Sequence, residues 1–206
     1  MKILTVVENS YEENTYIVID EKEVVVIDPG APFEKIRSAV NEQQPTVTGV
    51  LLTHGHGDHI LALNNFKKEI IYAHEDEKTV LENPQKNLAA MMGGDLSITG
   101  INFFKGDKYI LKLNVQSLIF KGIEIYHTPG HTPGSCIIKI GDNIFSGDTL
   151  FEDTVGRTDF PGGNAKKLKQ SIKIFGTFDR GCMVYPGHGT PFTLEQAYKV
   201  NFYLNR

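Results

Sequence analysis

The segment Thr53-His54-Gly55-His56-Gly57-Asp58-His59 constrains this chain more than any other. His54, His56, Asp58 and His59 all carry side chains able to bind a transition metal. The apolar run Val47-Thr48-Gly49-Val50-Leu51-Leu52 leads into the segment, and Ile60-Leu61-Ala62-Leu63-Asn64-Asn65-Phe66 follows it with helical texture. A fold that hosts this pattern needs a buried strand that delivers a loop of ligands, then a helix. In an extended loop, positions two apart point the same way, so His54 and His56 can grip one ion together. Asp58 and His59 arrive as the chain turns into the helix and can face a second ion beside the first. Gly55 and Gly57 remove side-chain bulk between the ligands. A solvated polar cluster is the bland alternative. Three histidines and an aspartate within six residues, directly after a buried strand, argue for metal instead.

The rest of the chain reads as a framework for that loop. Segments 2–7, 15–19 and 23–27 are rich in Val, Ile, Thr and Tyr, as strands are, and Asp20-Glu21-Lys22 makes a hairpin turn between the last two. Asp28-Pro29-Gly30-Ala31-Pro32 breaks the pattern before a helix whose face carries Phe33, Ile36, Ala39 and Val40. Strand 47–52, helix 60–66 and strand 70–73 alternate, which implies a crossover and some parallel pairing. A short helix over 75–81 follows, then either a helical turn or a flap over 88–94, where Met91 and Met92 could touch a substrate but read first as packing residues. Strands resume at 115–120, 123–127, 135–140 and 143–146, with hairpin-sized turns at Lys121-Gly122 and Gly141-Asp142. Asn164 caps a helix over 165–175 that buries Leu168, Ile172 and Phe175 and solvates Lys166, Lys167, Lys169 and Lys173. A short strand over 183–185 and a helix over 194–203 end the chain.

Without a repeat, a low-complexity stretch or a linker, residues 1–206 are expected to form a single domain with a real core. A net charge of -4 gives no basic footprint for nucleic acid. Cys136 and Cys182 form no CxxC pair and read as buried thiols. The N-terminal apolar run stops at Glu8, too early for a secretory signal, and no stretch is long enough to span a membrane. A cytoplasmic protein is therefore expected.

Three later turns each place a ligand type after a strand. They are Thr128-Pro129-Gly130-His131-Thr132-Pro133-Gly134-Ser135, Ser146-Gly147-Asp148-Thr149-Leu150 and Tyr185-Pro186-Gly187-His188-Gly189-Thr190. Singly each is weak, because Pro-Gly-His is commonly a turn and Asp after Gly commonly a cap. Together they add His131, Asp148 and His188 to the candidate ligands. The order HxHxDH, then His, Asp and His, resembles the metallo-β-lactamase superfamily. Within it, 128–135, 147–151 and 186–189 are similar to short, single-domain hydrolases of the glyoxalase II kind. The resemblance implies an α/β fold: a four-layer αββα sandwich of two mixed sheets, with metals at one edge. It also implies two adjacent divalent ions, the first held by His54, His56 and His131, the second by Asp58, His59 and His188, with Asp148 bridging them. Imidazole and carboxylate ligands suit zinc, iron or manganese, and zinc is the leading expectation.

Water shared by two divalent ions loses a proton near neutral pH and becomes a nucleophile without help from Ser or Cys. That fits a sequence with no nucleophile elbow and no Cys–His pair. A hydroxide bridging the two ions would attack a carbonyl carbon, with Asp58 as the catalytic carboxylate that positions it. The resemblance implies a thioester substrate, a small acyl-thiol of the hydroxyacylglutathione kind. Full-length glyoxalase II enzymes add a C-terminal helical domain that contributes to glutathione binding. Here 18 residues follow His188, room for one helix, so another small thiol carrier fits as well. Arg157 could receive a substrate carboxylate through its planar fork, or hold its own loop through Asp159. His74 and His127 have no partner ligand at a suitable spacing and read as structural, and Asn14 reads as a residue that bonds backbone.

Three alternatives stand beside this reading. A persulfide dioxygenase would use one iron on His54, His131 and Asp148. A nuclease of the same superfamily would turn the same hydroxide on phosphodiesters, against the acidic balance of the chain. A non-catalytic metal-binding protein is the third, and the complete ligand set argues against it.

Overall fold

Two neighbouring strands, β2 (Thr15–Asp20) and β3 (Glu23–Ile27), decide the layering, because both are buried on both faces. They follow β1 (Lys2–Val6) and precede helix α1 (Phe33–Asn41) in a computed structural model that describes residues 1–7, 10–41, 46–113 and 117–205. Successive side chains on a strand point to opposite faces. Ile17, Ile19, Val24 and Val26 accordingly pack with Ile36 and Val40 of α1. Tyr16, Val18, Val25 and Ile27 face the other way, into a core shared with Phe120, Ile125, Ile138 and Phe145. Strands that are apolar on both sides need a layer on each side, and a second sheet supplies the inner one.

The first sheet continues through β4 (Thr46–Leu51), β5 (Ile71–His74) and β6 (Asn102–Phe104), with the short helix α3 (Lys78–Leu81) between the last two, in the order β1-β2-β3-β4-β5-β6. The pairs β1–β2 and β2–β3 are antiparallel, and the remainder are parallel. The second sheet contains β7 (Lys108–Leu111), β8 (Ile123–His127), β9 (Cys136–Ile140), β10 (Asn143–Gly147), β11 (Met183–Pro186) and β12 (Phe192–Thr193). Within it only β10 and β11 run parallel. Its outer face, with Ile137, Ile144 and Val184, is covered by Leu168 of α4 (Ala165–Ser171) and by Leu194 and Ala197 of α5 (Leu194–Val200). The result is helix, sheet, sheet, helix: the expected αββα sandwich of two mixed sheets. No helix among the described residues is long and apolar enough to cross a membrane.

The sheets are stitched together at one edge. Cys136 N–H of β9 donates to Thr53 O just beyond β4 at 2.8 Å. Asn14 N–H donates to Gly187 O at 2.8 Å, while the Asn14 amide donates to Pro186 O and Gly189 O at 3.0 and 2.8 Å. Asn14 thus bonds backbone, as its sequence position suggested.

Four local expectations change. The helix placed at 60–66 starts earlier, as α2 (Gly57–Ile60), and gives way to a separate 3-10 turn over Leu63–Asn65. Ala62 N–H leaves the helix to bond Pro29 O at 2.9 Å. Of the strand expected at 115–120, residues 115 and 116 lie outside the described residues, and 117–120 are not extended. Ser117 donates to Asp20 and accepts from Phe120 N–H, which folds Phe120 into a 3-10 turn and drops its ring between the sheets. The partner of β8 is therefore β7, which the sequence pattern did not mark, rather than the segment ahead of Lys121. Helix 165–175 divides into α4 and a 3-10 stretch over Ile172–Thr177, with Asn164 as its cap: the side chain accepts from Lys167 N–H.

Candidate metal centre

Every candidate ligand leaves a strand end at the stitched edge. β4 delivers His54, His56 and α2 with Asp58 and His59; the β8–β9 turn delivers His131. β10 and β11 are parallel neighbours with Gly147 opposite Pro186, so Asp148 and His188 emerge side by side. All seven residues meet. Ligand-type atoms of His54, His56 and His131 lie within 4.8 Å of one another, and so do those of Asp58, His59 and His188. Asp148 stands between the groups, with Oδ2 3.5 Å from His131 Nε2 and Oδ1 3.5 Å from His59 Nε2 and 3.8 Å from His188 Nε2.

The surrounding hydrogen bonds assign the imidazole tautomers. Thr53 Oγ1 gives its proton to Asp28, so it accepts from His54 Nδ1–H at 3.1 Å. His59 Nδ1–H donates to Asp28 Oδ2 at 3.1 Å, His131 Nδ1–H to Arg157 O at 2.8 Å and His188 Nδ1–H to Tyr11 O at 3.1 Å. Each of these rings is left with its Nε2 lone pair facing the centre. His56 meets His131 Nε2 through Nδ1 at 2.9 Å. The Nε2 atoms of His54, His56 and His59 and Oδ1 of Asp148 are buried without a hydrogen-bond partner. Buried polar atoms are rarely left that way, and aligned nitrogen lone pairs around a carboxylate are what a divalent ion takes. The residues present fit a two-ion centre.

Burial, reinforced by the neighbouring imidazoles, pushes the His54 cation well below its ordinary range and His56 down to about 3. Burial also opposes charge on His59, but Asp58, Asp148 and Asp28 outweigh it and raise the ring. His188 is raised in the same way, burial being overcome by Asp58 and Asp148. Burial alone would lift the Asp148 carboxyl, yet His59, His131 and His54 hold it well below the usual carboxylate range. Asp58, with burial again opposed by His59 and His188, is also lowered.

A cleft of about 370 Å³ opens above the centre. Its floor includes His56, Asp58, His131, Asp148 and His188, and its walls include Tyr11, Leu88, Met91, Met92 and Phe160. Met91 and Met92 therefore face the site instead of packing in the core, and Met91 is 76% exposed. The segment is held against the metal loop by Gly57 N–H, which donates to Asn87 O at 2.6 Å. Arg157 also lines the cleft, with its fork on Asp159 at 2.7 and 2.6 Å and its guanidinium 4.0 Å over the Phe160 ring.

Three buried acids escaped the sequence reading. Asp28 receives Thr53 and His59, and Glu13 Oε1 lies 3.9 Å from His59 Nδ1. Glu77 reaches the metal loop from the far side. A lone Asp or Glu after a strand carries no local signal, although the break at Asp28-Pro29-Gly30 did mark a special turn, and Asp28 has φ +48°. His74 and His127, read from the sequence as structural and without a partner ligand, stack with ring centroids 3.7 Å apart, near Asp76. Strands β5 and β8 bring together what the sequence separates.

A family model described as the metallo-beta-lactamase superfamily matches residues 11–188. The chain is 34% identical to a probable metallo-hydrolase of Streptococcus pyogenes, over 98% of this chain and 89% of that protein. It is 31% identical to the hydroxyacylglutathione hydrolase GloC of Haemophilus influenzae, over 100% of this chain and 99% of that one. Among solved structures, the BLEG-1 B3 metallo-beta-lactamase superposes with a TM-score of 0.87 at 29% identity, covering 100% of both chains. TTHA1623 in a di-iron-bound form gives 0.83 at 28% identity, covering 98% of this chain and 100% of that one.

Proposed function

This chain belongs to the metallo-β-lactamase superfamily, and from that premise we propose that it is a metallo-hydrolase of thioesters, its residues 1–206 forming one catalytic unit. His54, His56 and His131 would hold one divalent ion, Asp58, His59 and His188 a second, and Asp148 would serve both. The observation that carries this reading is Asp148, whose two oxygens face different trios. Two ions held there supply Lewis acidity and a water that ionises near neutral pH. The donor set suits zinc and iron alike, and similarity to a di-iron structure supports iron beside zinc.

The chain's own residues supply the rest. Asp58, 20% exposed on the open side of the centre, orients the attacking water. Its lowered carboxyl, flanked by His59 and His188, accepts a hydrogen bond without taking the proton outright. The walls formed by Leu88, Met91, Met92 and Phe160 offer an apolar surface to the apolar part of an acyl-thiol. Arg157 shapes the wall through Phe160 and Asp159, and it reaches a substrate carboxylate by exchanging Asp159 for it. Similarity to a hydroxyacylglutathione hydrolase over the full chain supports the thioester class.

The test is release of free thiol from S-D-lactoylglutathione and from a panel of other acyl-thiols by metal-loaded protein. Turnover that is abolished by a chelator and restored by metal is expected. No turnover on any thioester, with oxygen consumed on glutathione persulfide, would replace the hydrolase by the dioxygenase.

A further inference from the structure

We propose that Glu77 is a positioning residue that sets the spacing of the three-histidine half of the centre; the proposal rests on the two-ion reading above. Glu77 closes the 3-10 turn after β5 and is 1% exposed. Its Oε1 accepts from Gly55 N–H at 2.8 Å, the peptide between His54 and His56. Its Oε2 accepts from Thr132 Oγ1–H at 2.8 Å and Gly134 N–H at 2.7 Å, both in the turn that carries His131. One carboxylate therefore ties the loop bearing two of the ligands to the loop bearing the third, across 22, 55 and 57 residues of sequence.

Packing supports the same assignment independently. A Cβ on Gly134 would strike the backbone nitrogen and Cβ of Glu77, and one on Gly55 would come 3.1 Å from Oε1 and 2.9 Å from Leu81. Both glycines admit the acid at close range. Thr132 gives its proton to Glu77, so it accepts from the Ser135 hydroxyl at 2.7 Å, which orders the His131 turn further. The neighbouring acids do different things: Glu75 pairs with Lys105 at 2.7 Å on the surface, and Asp76 is 54% exposed. Among the described residues, no contact of this kind reaches the loop of His188 from Glu77. The effect of its loss should fall on one ion and spare the other.

Glu77→Gln keeps the shape and replaces one acceptor by an amide that faces N–H groups. Partners that orient metal ligands typically change metal affinity by about 10- to 100-fold when removed. Competition of cobalt or zinc with a chromophoric chelator reads the two ions of the whole protein separately. In Glu77→Gln, one equivalent should be lost about 10- to 100-fold more readily, with altered cobalt absorption, while the other stays as in wild type and kcat recovers at saturating metal. Glu75→Gln is the unaffected control. If Glu77→Gln does not fold, Thr132→Val, which removes one of the three donors, decides the matter: a smaller loss confined to one ion supports the proposal, and wild-type affinity overturns it. Both ions held at wild-type affinity by Glu77→Gln, or both weakened equally, also overturns it. Wild-type protein that binds fewer than two ions fails the two-ion reading itself.

Discussion

His54, His56 and His131 sit at 1–3% exposure among one another, whereas His59 and His188 share their half with Asp58, and His188 reaches 28% side-chain exposure. The imidazoles are the same, yet His54 and His56 differ from His59 and His188 in proton affinity. Burial and mutual repulsion depress His54 and His56, while Asp58, Asp148 and Asp28 overcome burial to raise His59, and Asp58 and Asp148 do the same for His188. At His54 and His56 a proton competes only weakly with an ion for the ring nitrogens. At His59 and His188 a proton competes more strongly for the ring, so binding of an ion there depends more on pH. A histidine count therefore says little about how tightly each half holds its ion; the neighbours decide it.

Asp148→Ala should erase the comparison, because it removes the carboxylate whose two oxygens face the two trios. Thiol release should fall below detection and both ions should be lost; an active, fully metallated variant would refute the assignment. His131→Ala and His188→Ala should separate the halves. The first should keep the outer ion and the second the inner one, as elemental analysis of each purified variant would reveal.

A smaller effect sharpens the inner half alone. Burial raises the Glu77 carboxyl from 4.5 to about 7, against its bonds from Thr132, Gly55 and Gly134. The folded protein thus binds that proton more readily than the unfolded chain. The stability it contributes is complete below pH 4.5 and is lost as pH rises through about 7. Urea unfolding of metal-free protein across this window should show a decline that Glu77→Gln flattens relative to wild type. On the outer side, Met92→Ala should raise KM with kcat retained. Loss of contact worth one buried methylene, ~0.8 kcal/mol, corresponds to roughly fourfold. Lys169→Ala, on α4, should change neither parameter.

Legibility in the sequence follows the same division between local and distant causes. The histidine loops could be read because glycine spacing, ligand type and the preceding strand lie within a few residues. The layering is implied by the family resemblance; segments 15–19 and 23–27 read only as strands, and it is the structure that shows β2 and β3 covered on both faces. Glu77 could not, since nothing in Glu75-Asp76-Glu77 distinguishes the buried acid from its two solvated neighbours until Gly55, Thr132 and Gly134 close on it. The apolar residues before Lys121 misled because Ser117 bonds Glu23 and Asp20 across to the first sheet, and that anchor turns Phe120 inward. Strands β6 and β12 have three and two residues, too short for period-two alternation to register.

The most direct test of two unequal halves around one shared carboxylate is metal content per chain followed through a chelator titration of wild-type protein. Two equivalents at saturation that leave in separate steps, the second matching the ion retained by His188→Ala, is the predicted result. A single equivalent at saturation, or two that leave together, would contradict it.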